Sequence, residues 1–198
     1  MDRILNLFRK DKKNEERKEF LKCLFNFIKK NEVRGDYCEF GVYRGGTFAE
    51  AYKIAEAKEL DMTFWAFDSF EGLPEDSGVF KKGTYKASKE LFLRNFVKLV
   101  KPNKDNVKVI DGWFKDTLPN IKIDKIALAY VDCDIYSSTK EVLNFIAKSL
   151  QKNSILVLDD FHYGKGEREA FEEWLLEKNI KVEKYRPYSW KAESFIVK

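Results

Sequence analysis

The sequence predicts an α/β fold, with a single doubly wound and mostly parallel sheet that carries helices on both faces. Short apolar segments alternate with helical patterns along most of the chain, which is the order of elements in a parallel βα fold. Residues 126–131 and 155–158 are apolar throughout rather than alternating, a pattern typical of strands buried on both faces of a sheet. A length of 198 residues suits one domain with its own core.

A helical segment opens the chain, and we assign it to residues 1–34, before a main domain over residues 35–198. Apolar side chains recur at helical spacing within it, at Phe20, Leu21, Leu24, Phe27 and Ile28. The first nine residues lack the apolar region and cleavage site of a signal peptide. They predict a short amphipathic helix that contacts a membrane, a partner or its own domain. The apolar faces of the segment either pair two copies in a homodimer or cover their own sheet.

Five predicted strands of the main domain each run into glycine or aspartate. They cover residues 37–40, 62–67, 107–110, 126–131 and 155–158, and the residues that follow are Gly41, Asp68, Asp111, Asp132 and Asp159. Ligands of doubly wound sheets bind beyond the carboxyl ends of the strands. Five such ends in succession therefore predict a binding site at this edge of the sheet.

Helices and a closing strand pair complete the predicted elements. The helices cover residues 47–58, 138–150 and 167–178, and the strand pair covers residues 181–185 and 194–197. Ser138 and Glu141 have the spacing of a capping box at the start of the second helix.

Composition excludes several classes of protein. The 37 basic and 33 acidic residues leave a net charge of +4, which does not indicate the concentrated basic face of a nucleic-acid binder. Cys23, Cys38 and Cys133 show no paired spacing, so a disulfide scaffold and a zinc site are not expected, and reduced thiols indicate a cytoplasmic protein. No apolar run approaches the ~20 residues of a membrane-spanning helix, so stable membrane insertion is not expected.

A glycine-rich turn over residues 39–47 joins the first strand of the main domain to a helix. The glycine spacing differs from the GxGxxG of dinucleotide-binding proteins, which disfavours a nicotinamide dehydrogenase. Glu39, just before Gly41, favours a cationic ligand group such as an ammonium or a sulfonium over a phosphate. The alternative is an ordinary turn in which Glu39 is a surface charge.

Asp68 ends the next strand, where its two carboxylate oxygens match the two hydroxyls of a ribose. The alternative role is a helix N-cap, for which aspartate is preferred. Together with the glycine-rich turn, Asp68 predicts a site for an adenosine-like group without phosphate.

Three aspartates follow two adjacent apolar strands, namely Asp132, Asp159 and Asp160. Carboxylates brought that close require a cation among them, and an all-oxygen set suits Mg²⁺ or Ca²⁺ rather than zinc. Asp134 belongs either to the same site or only to the turn. The alternative is that the aspartates cap helices or face water separately. His162 lies just beyond, where it is a candidate general base or a structural histidine.

The segment from residue 74 to about residue 96 is too long for an ordinary connection between strand and helix. We interpret it as a lid or an acceptor-binding insertion. Its aromatic residues, Phe80, Tyr85, Phe92 and Phe96, either line an acceptor pocket or pack in the core.

Several motifs resemble a known family. Residues 39–47 resemble motif I of class I S-adenosylmethionine-dependent methyltransferases. FDSFEGLP at 67–74, GWFKDTLP at 112–119, VDCDIYSST at 131–139 and DDF at 159–161 resemble the macrocin O-methyltransferase (TylF-type) family. The resemblance runs from about residue 36 to about residue 174. It implies a Rossmann-like, seven-stranded sheet with one antiparallel strand.

The resemblance also implies a function. It is that of a Mg²⁺-dependent O-methyltransferase that transfers the methyl group of S-adenosylmethionine to a sugar hydroxyl in a glycan or natural product. Asp132 and His162 are the catalytic candidates, and the implied Mg²⁺ ligands are Asp132, Asp159 and Asp160. The implied cofactor-binding residues are Glu39, Gly41, Tyr43, Gly45, Thr47, Asp68, Ser69, Asp111, Gly112, Trp113 and Asp132. The alternatives are a metal-independent methyltransferase for another small-molecule acceptor and a non-catalytic cofactor-binding scaffold.

Overall fold

A computed structural model describes the backbone of residues 2–102 and 104–198, and the side chains of residues 14–102 and 105–198. The amphipathic character predicted for the first nine residues lies outside the described side chains. Within the described chain, no helix is both long and apolar enough to cross a lipid bilayer.

Seven strands form one sheet in the described part of the chain. They are β1 (Asp36–Phe40), β2 (Phe64–Asp68), β3 (Val107–Asp111), β4 (Ile126–Val131), β5 (Leu150–Leu158), β6 (Val182–Lys184) and β7 (Glu193–Val197). The strand order is β3-β2-β1-β4-β5-β7-β6. Strand β7 runs antiparallel to both of its neighbours, and the other pairs are parallel. This topology confirms the predicted fold and places the switch point between β1 and β4.

Six α-helices accompany the sheet over the described residues. They are α1 (Asp2–Lys30), α2 (Gly46–Ala57), α3 (Lys89–Val100), α4 (Phe114–Thr117), α5 (Tyr136–Ile146) and α6 (Gly166–Lys178). Residues of α1, α2 and α3 share one apolar cluster with one face of the sheet. Residues of α5 and α6 share a second cluster with the other face. Successive strand residues alternate between the clusters, since Tyr37 lies in the first and Cys38 in the second.

The C-terminal half of α1 covers its own sheet. Phe20, Leu21, Leu24 and Ile28 are buried in the cluster shared with α2 and the sheet. The sequence left two alternatives for this apolar face, a homodimer or the segment's own sheet. The buried residues of α1 pack on their own sheet. The division at residues 34 and 35 stays a prediction.

The capping box predicted at Ser138 and Glu141 is wrong. Helix α5 begins at Tyr136 after an extended Ile135, whose side chain makes no capping hydrogen bond. Ser138 is therefore already inside the helix. The same helix ends at Ile146, and β5 begins at Leu150 rather than at residue 155, because its first residue already pairs with Ile126.

The segment predicted as a lid divides into two parts. Helix α3 occupies its C-terminal part, and the Ser88 hydroxyl caps this helix by accepting from the backbone N–H of Leu91 at 3.2 Å. Phe92 and Phe96 of this helix are core residues packed on Phe48. Of the four aromatic residues, only Tyr85 contributes to the cleft described below.

Candidate functional site at the carboxyl edge of the sheet

A cleft of about 680 Å³ opens at the carboxyl ends of the parallel strands. The loops after β1, β2, β3, β4 and β5 each contribute to its lining, with Gly41, Asp68, Gly112, Asp132 and Asp160. The connection after β2 covers one side of the cleft through Leu73, Pro74, Glu75, Lys82 and Tyr85. The Ser137 hydroxyl, at the start of α5, donates to Glu75 across the opening at 2.6 Å.

The turn between β1 and α2 brings two backbones close together. Gly41 has a φ of +91°, and a Cβ at this position would overlap the carbonyl oxygen of Asp132. Only glycine accommodates both the dihedral angle and the contact. The loops after β1 and β4 therefore meet at the switch point, directly beside the cleft.

Asp68 is held in place by two backbone donors. Its Oδ2 accepts from the N–H of Tyr43 at 2.8 Å, and its Oδ1 accepts from the N–H of Phe70 at 2.7 Å. Burial raises the pKa of Asp68 above its ordinary value despite these hydrogen bonds. No helix of the described chain starts at Asp68, so the N-cap alternative is wrong. The carboxylate lines the cleft beside Ser69.

Three carboxylates form a group in the cleft. One oxygen from each of Asp132, Asp134 and Asp160 lies within 4.8 Å of the others. Burial, together with neighbouring carboxylates, raises the pKa of Asp132 well above its ordinary value. The same two causes raise the pKa of Asp134 to about 8. The donors are all carboxylate oxygens, so the chemistry of this group fits a hard divalent cation. We refer to these three residues as the acidic group.

Asp159 lies beside the acidic group and is held by two other side chains. The Tyr130 hydroxyl donates to its Oδ1 at 2.5 Å, and the Lys191 ammonium lies 2.5 Å from its Oδ2. Asp159 continues the alternation of Ile155 and Val157, which face the cluster under α1. The structure thus brings Asp132 and Asp160 together as the sequence predicts and adds Asp134, while Asp159 lies next to them on Tyr130 and Lys191.

Glu167, in the first turn of α6, connects the two acidic loops. Its Oε1 accepts from the N–H groups of Cys133 at 2.9 Å and Asp134 at 3.2 Å, and its Oε2 accepts from the N–H of Asp160 at 2.8 Å. It is completely buried. Our sequence reasoning missed this residue, although a signal exists. Glu167 shares the i, i+3, i+4, i+7 stripe of Ala170, Phe171 and Trp174 that faces the core.

Comparison with known proteins identifies the family. The family model described as macrocin-O-methyltransferase (TylF) matches residues 13–186. The chain belongs to this family. Its curated relatives include the demethyldecarbamoylnovobiocin O-methyltransferase of Streptomyces niveus, which is 33% identical over 66% of this chain and 54% of its own length. Another is the mycinamicin III 3''-O-methyltransferase of Micromonospora griseorubida, at 30% identity over 65% of this chain and 56% of its own length.

This TylF-family chain spans about half the length of the curated relatives it matches. Solved structures resemble it over more of their length. The O-methyltransferase NovP superposes with a TM-score of 0.81 at 27% identity, over 91% of this chain and 79% of its own. The calicheamicin methyltransferase CalS11 shares the fold, with a TM-score of 0.71 at 22% identity over 90% and 77% of the two chains.

Several predicted cofactor contacts of the TylF-family chain lie outside the cleft lining. Glu39 is 2% exposed on the α1 side of β1, where its Oε2 accepts from the Tyr37 hydroxyl at 2.5 Å. It is not the surface charge that the sequence offered as an alternative, and its role toward the cofactor stays a prediction. Thr47 accepts from Arg17 at 3.4 Å, and Asp111 lies 3.4 Å from the ammonium of Lys89. Those that do line the cleft are Gly41, Tyr43, Asp68, Ser69, Gly112, Trp113 and Asp132.

His162 is also outside the cleft lining. Its Nε2 lies 3.6 Å from Glu193, its ring packs on Phe161, and its side chain is 38% exposed. The backbone explains this placement, because the N–H of His162 donates to the carbonyl of Lys191 at 2.8 Å and holds the residue against the loop before β7. The structure therefore does not support His162 as the base that the sequence suggested.

Proposed function

We propose that the chain is an S-adenosylmethionine-dependent O-methyltransferase that uses Mg²⁺ and acts on a sugar hydroxyl of a small molecule or glycan. The observation that carries the proposal is one cleft that contains both Asp68 and the acidic group. Its relatives are O-methyltransferases, and one of them, from Streptomyces olivaceus, is the 4'-O-methyltransferase of a rhamnosyl-tetracenomycin C. The relatives support the sugar as the acceptor class.

The residues at the β1 and β2 ends fit an adenosyl group. Asp68 is fixed by the N–H groups of Tyr43 and Phe70 and keeps carboxylate lone pairs free to accept from the two ribose hydroxyls. Gly112 and Trp113 line the same cleft from the end of β3 and would flank the adenine. Gly41 lets the loops after β1 and β4 meet beside the cleft, since a Cβ there would overlap the Asp132 carbonyl oxygen.

The acidic group fits Mg²⁺, because carboxylates supply hard oxygen donors. Asp132 and Asp160 would hold the ion, with Asp134 beside them. A bound Mg²⁺ would orient the acceptor hydroxyl and lower its pKa. Glu167 keeps the loops of Asp132 and Asp160 in register through its three backbone hydrogen bonds.

Asp134 is the residue that we propose to receive the proton of the acceptor hydroxyl. Its carboxylate lies in the cleft next to Asp132 and Asp160, so it would be close to a hydroxyl held at the proposed ion, where a carboxylate can act as a general base. In the reaction, the sulfur–methyl bond of the donor breaks and an oxygen–methyl bond forms. The hydroxyl proton passes to Asp134 and then to solvent, and S-adenosylhomocysteine is left. The fixed cleft contributes further by aligning donor and acceptor.

Calorimetric titration with S-adenosylhomocysteine tests the proposal. We expect binding with a Kd of about 1–100 μM, and a loss of at least about tenfold in Asp68→Asn because a ribose acceptor is removed. Asp76→Asn is the matched control, since Asp76 pairs with Lys81 on the surface at 3.1 Å. No binding to the unaltered chain would overturn the proposed function.

A further inference from the structure

A lysine ammonium lies between two carboxylates at the edge of the acidic group. The Nζ of Lys191 is 2.5 Å from Asp159 and 2.9 Å from Asp160. Its side chain is 21% exposed and lines the cleft. The Asp160 carboxylate therefore contacts this ammonium and also belongs to the acidic group, whose oxygens fit a divalent cation.

Lys191 is fixed at its backbone as well as at its ammonium. Its carbonyl accepts from the N–H of His162 at 2.8 Å, two residues beyond Asp160. The adjacent Tyr188 and Ala192 exchange backbone hydrogen bonds at 3.1 and 3.2 Å, which closes the loop before β7. The hydrogen-bonded loop before β7 therefore holds the ammonium next to the carboxylates.

The electrostatic balance of the cleft depends on this lysine. Asp132, Asp134, Asp159 and Asp160 place four carboxyl groups close together, and such a set is stabilised by positive charge. The Lys191 ammonium lies between two of these carboxylates, 2.5 Å from Asp159 and 2.9 Å from Asp160. It therefore supplies positive charge to this set.

We propose that Lys191 is the resident counter-cation of the cleft, and that it competes with the divalent cation for Asp160 and so sets the affinity of the metal site. This inference rests on the Mg²⁺ site of the proposed function. Asp159, bonded to Tyr130 and Lys191, is the residue that retains the lysine when the cation takes Asp160. Lys191 is a positioning residue here, since it acts through Asp160.

Direct titration with MnCl₂ and MgCl₂ tests the inference, with thermal unfolding as a second readout. Lys191→Met removes the charge and keeps an unbranched side chain of similar length. We expect its divalent-cation Kd to fall by about tenfold or more, because a positive charge next to a ligand is removed. Without divalent cation its Tm should lie below that of the unaltered chain, and added Mg²⁺ should raise its Tm by the larger amount.

Lys184→Met is the matched control, because Lys184 lies on the same hairpin and pairs with Glu193 at 3.4 Å outside the acidic group. Its cation affinity should equal that of the unaltered chain. If Lys191→Met does not fold, Lys191→Gln is the second neutral variant and carries the same expectation. An unchanged or weaker affinity in the neutral variants, with binding retained in the unaltered chain, would overturn the inference while the proposed metal site stands. If neither the unaltered chain nor the variants bind a divalent cation, both the inference and the proposed Mg²⁺ site fail.

Discussion

The carboxylate of Glu167 accepts a hydrogen bond from the backbone N–H of Asp160 at 2.8 Å, while its other oxygen binds the N–H groups of Cys133 and Asp134. One buried side chain on α6 thus fixes the ends of β4 and β5 relative to each other. The distance between the members of the acidic group depends on it, since Asp134 lies on one of these loops and Asp160 on the other.

Replacing Glu167 by glutamine tests this connection. The glutamine amide would turn one of its donors toward a backbone N–H that needs an acceptor, so we expect a loss of about 1–3 kcal/mol of unfolding free energy. Divalent-cation affinity should fall as well, by about tenfold. Glu169→Gln, two residues along on the exposed side of α6, is the control and should change neither quantity. Urea unfolding and MnCl₂ titration measure both effects, and an unchanged cation affinity in Glu167→Gln would contradict the assigned role.

Alanine at Gly41 should disrupt the cleft. The added Cβ would overlap the Asp132 carbonyl oxygen at a φ of +91°, so both strain and collision oppose it. Gly83 has a φ of +76° with nothing within 4 Å of an added Cβ, and Gly83→Ala therefore reports the dihedral cost alone, about 1 kcal/mol. We expect Gly41→Ala to lose clearly more stability in urea unfolding and to lose affinity for S-adenosylhomocysteine. Equal losses in the two variants would show that the contact with Asp132 is unimportant.

Substitutions at Asp134 and Asp160 should differ in their effects on cation binding and turnover. Asp160→Asn removes a cation ligand, so we expect it to lose cation binding and turnover while S-adenosylhomocysteine affinity is retained. Asp134→Asn removes the proton acceptor, and we expect turnover to fall by about 10²–10⁴-fold with cation binding largely retained. Calorimetry and a methyl-transfer assay on a sugar acceptor distinguish the two. Full turnover in Asp134→Asn would rule out its assignment as the base.

Glu39 should make stability depend on pH. Burial raises its pKa to about 8, above the value near 4.3 of an unfolded chain. The folded state therefore binds more protons than the unfolded state between these values, and the contribution of Glu39 to stability is lost as pH rises toward 8. Glutamine at this position still accepts from Tyr37 but does not titrate. The free energy of unfolding of Glu39→Gln, relative to that of the unaltered chain, should therefore increase from pH 5 to pH 8. The exposed Glu56→Gln is the control in unfolding experiments at both pH values, and a pH-independent difference for Glu39→Gln would contradict the expectation.

The sheet could be predicted from the sequence because its central strands are continuous apolar segments that end in glycine or aspartate. The position of Asp68 and of Asp132 at one edge follows from parallel topology alone. Alternation along β5 puts Asp159 on the face of Ile155 and Val157. It does not by itself separate the ligands, because Asp132 follows Tyr130 on that same face and still lines the cleft.

Other parts of the site depend on tertiary contacts that no local pattern carries. Lys191 lies 31 residues from Asp160 along the chain and meets it only because β7 pairs with β5. Glu39 has the spacing of a cofactor contact, but its strand direction turns it toward Tyr37 and α1. The position of His162 next to two aspartates predicts a general base. Its backbone hydrogen bond to the loop of Lys191 instead holds it outside the cleft lining.

We propose that one cleft holds the methyl donor and a divalent cation side by side. A crystal grown with S-adenosylhomocysteine and MnCl₂, measured for the anomalous signal of manganese, tests it most directly. We expect the nucleoside hydroxyls on Asp68 and a manganese peak within coordination distance of Asp132 and Asp160. A nucleoside bound elsewhere, or no manganese at the acidic group while S-adenosylhomocysteine is present, would contradict it.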